Sequence, residues 1–409
     1  MIAYHFPPLA GSSGIQRTLR FVQHLPALGW QPIVLSADAR AYAQTSQDLM
    51  SEIPGATLVR RAFALDTARH LNVKGRYIGW MARPDRWISW RFDAIRQGLR
   101  LIREHRPEVI WSTYPIATAH VIAEALHRKT GIPWVADFRD PMAQEGYPAD
   151  QATWRSYQRI EELAMTRARH AVFTTPGAAR MYKERYPKAR AHVQVLENGY
   201  DEESFTGTSP SSPPVRTPNQ GPLLLLHSGI VYPSERDPTH LFAALQRLQK
   251  AGRLTPSDLR IRFRASVHDD LLTSLAASNG VSDFIELSPA IPYRDALAEM
   301  LSVDALLVMQ ASNCNAQIPA KIYEYLRAGR PILGLTDPAG DTAGVLASAG
   351  IDAVARLDST DEIEALLPLF LDRVRNQRAA LPSSEAVRRS SRQGRSEAFA
   401  ALLDATVGP

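Results

Sequence analysis

Two series of short apolar runs alternate with helical stretches along this chain. The first series covers 1–205 and the second covers 221–384. The segment between them, 206–220, reads TGTSPSSPPVRTPNQ and is rich in Ser, Thr and Pro, as linkers are. Strands that alternate with helices favour parallel β-α-β units, so the sequence predicts two α/β domains, each with a doubly wound parallel sheet. Ligands bind beyond the carboxyl ends of such strands, so we expect the domains to face a cleft there.

The composition excludes several classes of protein. The 409 residues contain one cysteine, Cys314, so they can form neither an internal disulfide nor a cysteine-based zinc site. No run of about 18 apolar residues occurs, and the sequence therefore predicts no membrane-spanning helix. The net charge of +5 is too small to indicate a general nucleic-acid binder.

The positive charge is concentrated in 74–106, which holds nine Lys/Arg residues and three acids. The apolar spacing predicts a helix over 86–105. Its predicted buried stripe consists of Ile88, Phe92, Ile95, Leu99 and Ile102. Arg86 and Trp90 would point to the opposite, exposed side, where Trp beside Arg suits a membrane interface or an anionic lipid acceptor. A solvated helix face with one stray aromatic residue explains the pattern equally well.

A loop of small residues, Gly11-Ser12-Ser13-Gly14, follows the first predicted strand and opens a helix. Glycines let the backbone approach a ligand closely, and the N–H groups at a helix start favour an anion such as phosphate. The pattern is not G-x-G-x-x-G, so it does not support a dinucleotide cofactor. An ordinary strand–helix turn is the alternative.

Charged residues end the strand predicted over 134–138. Asp137, Arg139 and Asp140 are costly at a strand end that faces a cleft unless they are paired or bound to a ligand. Their position favours a functional role. A structural Asp–Arg pair that caps the following turn is the alternative.

The second domain opens with a similar arrangement. His227-Ser228-Gly229 ends its first strand, and Arg236 follows before the next helix. A small loop that lets the backbone approach a ligand, followed by an arginine, suits a diphosphate. A long loop with a solvated arginine is the alternative.

A lysine stands in the first turn of the helix predicted to start at Pro319. Lys321 is unfavourable there because its charge has the same sign as that end of the helix dipole, unless an anion binds at the helix start. Glu324 lies on the same face, so the pair can reach a phosphate and sugar hydroxyls respectively. A surface Lys–Glu pair worth about 0.2–0.5 kcal/mol is the alternative.

Taken in order, these residues resemble the family-4 retaining glycosyltransferases of the GT-B fold, particularly those of bacterial surface-polysaccharide (exopolysaccharide) pathways. The segments that carry the resemblance are 4–17, 135–142, 196–201, 227–238 and 318–333. The resemblance implies two Rossmann-like domains that face a cleft, with an acceptor-side domain at 1–205 and a nucleotide-sugar-binding domain at 221–384. It also implies that a C-terminal helix at 385–409 returns to the first domain.

The resemblance gives roles to the candidate residues. Arg236 and Lys321 would neutralise the donor diphosphate, and Glu324 would match the second glutamate of the family's E-x₇-E pattern, which binds the ribose. The loop 11–14 would lie near the phosphates, and Asp140 with Arg139 would face the acceptor. The catalytic candidates are Asp140, Arg139, Arg236 and Lys321, and the donor-binding candidates are Gly11, Ser12, Ser13, Gly14, Ser228, Gly229, Arg236, Lys321 and Glu324.

The chain departs from the family pattern at two places. The first glutamate of E-x₇-E is replaced by Ala316, so its role near the donor sugar is missing or has passed to Asn313, Asn315 or Gln317. The first strand begins at Met1 itself, and we therefore expect the true start to lie upstream.

The resulting hypothesis is retaining transfer of a sugar (EC 2.4 type) from a nucleotide diphosphate sugar to a lipid-linked saccharide acceptor. It involves no cofactor, no metal and no nucleic acid. The protein would be cytoplasmic and would contact the inner face of the plasma membrane through about 74–106. A nucleotide-sugar 2-epimerase of the same fold and a catalytically weak scaffold subunit of a polysaccharide-assembly complex remain alternatives.

Overall fold

The computed structural model describes residues 1–12, 14–74, 76–207 and 221–408. The chain divides into two compact units, of which unit 1 is Met1–Asn198 with Arg392–Pro409 and unit 2 is Gly199–Ser391. The division therefore falls after Asn198 rather than after 205. It falls there because Phe205 is buried in a core cluster of unit 2. Of the predicted linker 206–220, residues 208–220 lie outside the described part of the chain.

Unit 1 contains a parallel sheet with helices on the connections between its strands. Its strands are β1 (Ile33–Ala37), β2 (Leu58–Ala62), β3 (Ile110–Thr113), β4 (Trp134–Arg139), β5 (His170–Phe173) and β6 (His192–Val195). Its helices up to 198 are α1 (Gly14–His24), α2 (Thr67–His70), α3 (Trp90–His105), α4 (Thr118–Thr130), α5 (Gln151–Arg167) and α6 (Pro176–Arg185). Strand β1 pairs with β2, and β3 to β6 pair in sequence order.

The predicted first strand of unit 1 is present as a short bridging segment. Ile2 pairs in parallel with Leu35 of β1 on one side and with Ser112 of β3 on the other. The strand order therefore runs outward in both directions from this segment, which makes it the topological switch point of the sheet. Residues 3–10 lead from that segment to Gly11 and Ser12, so the fold places these two residues where parallel sheets bind ligands.

Unit 2 contains a six-stranded parallel sheet. Its strands are β7 (Leu223–Ser228), β8 (Leu259–Arg264), β9 (Ile285–Ser288), β10 (Ala305–Gln310), β11 (Ile332–Thr336) and β12 (Val354–Ala355). Its helices are α7 (Glu202–Phe205), α8 (Thr239–Lys250), α9 (Asp269–Ser278), α10 (Tyr293–Ser302), α11 (Lys321–Ala328), α12 (Asp341–Ser348), α13 (Thr360–Arg375) and α14 (Ser384–Ser390). The strand order β12-β11-β10-β7-β8-β9 reverses direction between β7 and β10. The loops after these two strands flank the switch point of the second sheet.

The terminal segment 385–409, predicted as one helix, consists of two helices in different units. Helix α14 belongs to unit 2, and a last helix, α15 (Arg392–Val407), belongs to unit 1. The break falls at Ser391, which is extended and pairs with Tyr200. In unit 1 the Phe399 ring of α15 packs 4.5 Å from the Phe21 ring and 5.7 Å from the Trp111 ring, centroid to centroid. The part of the segment that returns to the first domain therefore begins at Arg392.

The basic segment 74–106 folds differently from its prediction. Helix α3 starts at Trp90 rather than at 86, and Trp90 is fully buried. The helix packs closely at Gly98, where an added Cβ would lie 2.7 Å from a methyl carbon of Leu126. This close approach centres the buried stripe on Gly98, so Ile95, Leu99 and Ile102 are partly buried while Phe92 is 71% exposed.

Arg86 lies before helix α3 and is not part of an exposed Arg–Trp face. Its guanidinium pairs with the buried carboxylate of Asp66 and lies over the ring of Trp87, 5.1 Å from the centroid. The prediction of an exposed surface formed by Arg86 and Trp90 is therefore wrong, because Arg86 is held in the ion pair and Trp90 is buried in the core. Within the described ranges, no helix has the length and apolar character needed to span a membrane.

Candidate functional site

In unit 2 the loop after β7 brings backbone next to the start of helix α11. The N–H of Ser228 donates to the hydroxyl of Tyr325 at 2.8 Å, which ties the strand end to this helix. Gly229 has φ +113°, and a Cβ added there would lie 3.2 Å from Nζ of Lys321. Glycine is therefore required at 229 both for its conformation and for the close approach of the lysine.

Lys321 is the first residue of α11, and its ammonium is removed from solvent. Nζ lies 3.1 Å from Nε2 of His227, which is itself fully buried. Burial lowers the pKa of Lys321 to about 7; the charge of Arg236 acts in the same direction and that of Glu324 opposes it. A cation held in this way at a helix start is suited to an anionic ligand, whose charge would restore a normal pKa.

Arg236 supplies a second positive charge beside Lys321. One Nη donates to the carbonyl of Ile230 at 2.7 Å, and the guanidinium lies 5.3 Å from the centre of the Tyr232 ring. Its Nε is buried and has no hydrogen-bond partner among the described residues. Two neighbouring cations with an unused donor match the charge of a diphosphate.

Glu324 lies one turn after Lys321 and accepts a hydrogen bond from the hydroxyl of Tyr293 at 2.7 Å. The structure thus brings Ser228, Gly229, Arg236 and Lys321 together, with Glu324 at their edge. Sequence reasoning missed Tyr293, which stands at the start of α10 with no pattern to mark it. It also gave no role to His227, although that residue was part of the motif.

Of the three residues suggested to replace the glutamate missing at Ala316, Asn315 holds a buried acceptor oxygen. Its Nδ2 donates to Asp337 at 2.7 Å, while its Oδ1 is buried and has no partner among the described residues. Nδ2 of Asn313 instead donates to the carbonyl of Ser234 at 2.9 Å. Asn315 therefore offers a free acceptor oxygen, although an amide carries no charge.

In unit 1 the loop before α1 packs against His5 and Arg139. A Cβ added to Gly14 would lie 2.4 Å from Nδ1 of His5 and 3.0 Å from Nη1 of Arg139, so any larger residue would collide. Oγ of Ser12 lies 3.1 Å from Nδ1 of His5, and burial lowers the pKa of this histidine to about 4. Gly11 has φ +75°, a conformation that favours glycine. The candidate Ser13 lies outside the described residues.

Arg139 ends strand β4 with φ +62°, a strained value for a non-glycine residue. Its Nη1 donates to the carbonyl of Tyr114 over a long 3.5 Å, and burial together with the charge of Arg17 lowers its pKa. Asp140 is exposed beside it, with Oδ1 3.5 Å from the hydroxyl of Thr174. Strain and a weakly satisfied cation at the carboxyl end of a strand are typical of a ligand-binding position.

Asp137 belongs to a structural Asp–Arg pair, which was the alternative interpretation of this strand end. Its partner in the structure is Arg17. Nε and Nη2 of Arg17 donate to the two carboxylate oxygens at 2.9 and 3.0 Å, and both side chains are buried. Arg17 also donates to the carbonyls of Leu196 and Glu197. Arg17 is therefore fully engaged within the fold and is not available to an anion at the start of α1.

The loop after Asp140 is anchored by a buried glutamate that sequence reasoning missed. Glu161 accepts hydrogen bonds from the N–H groups of Met142 and Ala143 at 3.1 and 2.7 Å, and from the guanidinium of Arg185 at 2.9 Å. Its position in helix α5, one residue after the buried Ile160, places it on the core side of the helix. An acid on the apolar stripe of a helix was the available signal.

The comparison with protein families matches nearly all of unit 1. Residues 14–204 match Glycosyltransferase Family 4. The matched residues make up slightly less than half of the chain, which is therefore similar to this family over its first half. A comparison with curated protein sequences finds no match.

Solved structures share the fold over both units. A glycosyltransferase from Rickettsia africae ESF-5 is 12% identical with a TM-score of 0.63, and the alignment covers 100% of this chain and 98% of that one. HepE of Anabaena, in complex with UDP-glucose, is 13% identical with a TM-score of 0.59, covering 99% of each chain. WaaG, a glycosyltransferase involved in lipopolysaccharide biosynthesis, is 15% identical with a TM-score of 0.52, covering 100% of each. This likeness, together with the two parallel sheets, confirms the predicted fold class of two Rossmann-like domains of the GT-B type.

Proposed function

We propose that this protein is a glycosyltransferase that uses a nucleotide diphosphate sugar as donor. The observation that carries the proposal is the meeting of Lys321 and Arg236 at the backbone of Ser228 and Gly229, at the switch point of the sheet in unit 2. The Glycosyltransferase Family 4 match in unit 1 supports the reaction class. The UDP-glucose complex of HepE supports the donor class.

In this proposal the two cations stabilise the leaving group. Negative charge grows on the nucleoside diphosphate as the glycosidic bond breaks, and positioned cations lower the energy of that state. Glu324 binds ribose hydroxyls. No resident metal is needed, because Lys321 and Arg236 supply the charge that a divalent ion would otherwise provide.

Unit 1 binds the acceptor in the proposed reaction, through Arg139, Asp140 and the loop 11–14. The acceptor hydroxyl attacks the anomeric carbon on the face from which the diphosphate leaves and gives its proton to the leaving diphosphate, so the anomeric configuration is retained. We further propose a lipid-linked saccharide acceptor of a surface-polysaccharide pathway on the cytoplasmic side of the membrane. The involvement of WaaG in lipopolysaccharide biosynthesis supports this acceptor class.

A donor panel tests this function. Purified protein incubated with nucleotide diphosphate sugars and bacterial lipid extract should release nucleoside diphosphate only when the extract is present. The glycosidic bond formed should keep the donor's anomeric configuration by NMR, and EDTA should leave the rate unchanged. Epimerised donor formed without extract would identify an epimerase instead, and donor binding without turnover would identify a scaffold.

We also propose that the segment 71–83 of unit 1 contacts an anionic membrane. Three of its apolar side chains are largely exposed. The exposed fraction is 75% for Val73, 58% for Ile78 and 68% for Trp80. Lys74 and Arg76 stand between them in sequence. Exposed Trp and aliphatic side chains next to cations suit the interface of a bilayer that carries anionic lipid. Trp80 therefore takes the role that the sequence assigned to Trp90.

Replacing Trp80 with alanine should weaken binding to phosphatidylglycerol vesicles by roughly tenfold, because the membrane buries this one large side chain. Co-sedimentation at low salt measures the effect. Tyr147→Ala, which removes another exposed aromatic ring of the same unit, is the matched control and should bind like the wild type. Equal binding of the Trp80 variant and the wild type would rule out this contact.

A further inference from the structure

We propose that His227 is a positioning residue that holds the Lys321 ammonium against the backbone of Gly229 and so couples donor binding to the uptake of a proton. The inference rests on the proposed function, since it concerns the site that would bind the donor diphosphate. It adds a residue and a pH response to that site.

The His227 ring faces two backbone carbonyls, those of Leu307 and Ile230, and we assign its tautomer from the short contact with the first. Its Nδ1 lies 3.0 Å from the carbonyl oxygen of Leu307 in the neighbouring strand β10, and a carbonyl can only accept. We therefore place the ring proton on Nδ1, so that Nε2 directs its lone pair toward Nζ of Lys321 at 3.1 Å. Burial, reinforced by the charge of Lys321, holds the pKa of His227 well below its usual range, so the ring stays neutral.

This contact leaves the ammonium partly satisfied. His227 accepts a hydrogen bond from one of its three N–H groups, and the described residues form no ion pair with the other two. The ammonium also lies next to Gly229, whose missing Cβ leaves room for Nζ beside the loop backbone. The two free N–H groups are thus available to an anion at the start of α11.

Three groups, two of them charged, surround the ammonium of Lys321. Arg236, in the loop before α8, repels the ammonium, while Glu324 in the same helix attracts it. The third, His227 in β7, is neutral and acts only as an acceptor. Because burial and the charge of Arg236 lower the pKa of Lys321 to about 7, we expect both the amine and the ammonium in the free protein near neutral pH.

A diphosphate selects the ammonium form, so donor binding should take up a proton near neutral pH. Because the pKa of Lys321 is lowered in the free protein, the affinity for the diphosphate should be highest below about pH 7. Above this pH the affinity should fall, and the loss should approach tenfold for each pH unit. UDP-glucose is a suitable probe because its diphosphate does not titrate in this range. Its dissociation constant should rise roughly 30-fold between pH 6 and pH 8.5.

Two substitutions separate positioning from simple packing. In His227→Phe the acceptor is lost, so the lysine pKa should fall by about one unit and UDP-glucose affinity at pH 7.5 by roughly tenfold. His227→Gln keeps an acceptor oxygen and should stay within about threefold of the wild type. Thermal unfolding of both variants checks that they are folded. Equal affinity and an equal pH profile for His227→Phe and the wild type would overturn the proposal.

NMR of the wild-type protein tests the pair without any ligand. The chain has six lysines and eleven histidines, so the ¹⁵N signals of both side chains are few enough to assign with Lys321→Arg and His227→Gln. We expect a proton on Nδ1 of His227 and a lysine that titrates near pH 7. A proton on Nε2 would overturn the positioning role. Failure of the wild type to bind any nucleotide sugar, with this NMR result intact, would instead contradict the proposed function.

Discussion

Replacing Lys321 with alanine should lower kcat/KM for sugar transfer by roughly 10²- to 10³-fold, the cost of removing one preorganised donor from a developing negative charge. The loss should be large because the ammonium lies in a buried site, where its interaction with a diphosphate is screened little by water. Steady-state kinetics with the preferred donor of the panel, together with the affinity for the released nucleoside diphosphate, measure it.

Lys250→Ala is the matched control for this substitution. Lys250 ends helix α8 in the same unit and is exposed, so its removal should leave both the rate and the affinity unchanged. Transfer by the Lys321 variant at the wild-type rate, with every donor that the enzyme accepts, would show that the diphosphate binds elsewhere.

Replacing Arg17 with methionine should lower the free energy of unfolding of unit 1 by about 3–5 kcal/mol, because it leaves the buried carboxylate of Asp137 without its partner. Tryptophan fluorescence during urea unfolding measures this selectively, since all seven tryptophans lie between Trp30 and Trp154 and therefore report on unit 1. The exposed pair of Arg100 and Glu104 provides the control, and Arg100→Ala should leave the free energy of unfolding nearly unchanged.

A second variant separates the unpaired charge from the loss of packing. Adding Asp137→Leu to Arg17→Met removes the buried charge itself, so the double variant should recover at least half of the lost stability. A double variant that is less stable than Arg17→Met alone would show that the carboxylate stabilises the fold through Thr113, which donates to it at 3.0 Å, rather than through the arginine.

The sequence predicted the parts of this molecule that depend on local pattern. Alternating strands and helices predicted both parallel sheets, and the first-turn position of Lys321 was correct, because chain order and helix phase are local properties. The contact between Lys321 and His227 was not predictable, since it joins residues 94 positions apart that only the sheet topology brings together.

The errors in the basic segment have a related cause. Helical spacing placed Phe92 in the core and Trp90 in solvent, and the structure shows the reverse. Spacing gives the period of a buried stripe, but the phase is set by where the neighbouring helix approaches most closely. That approach occurs at Gly98, whose missing side chain makes no hydrophobic signal in the sequence. Arg86 was misread for a different reason, since it lies before the helix and its partner Asp66 is 20 residues away in the chain.

The last helix, α15, makes unit 2 an insertion within unit 1. The chain leaves unit 1 after Asn198 and re-enters it at Arg392, and Arg395 donates to the carbonyl of Asn198 at 3.1 Å and to the carboxylate of Glu197 at 2.5 Å. During synthesis on the ribosome, unit 2 is therefore complete while unit 1 still waits for its final helix. Until Phe399 arrives, the apolar surface of Phe21 and Trp111 stays uncovered. A nascent chain stalled before 392 should thus bind chaperones through unit 1, although every strand of both sheets has already been made.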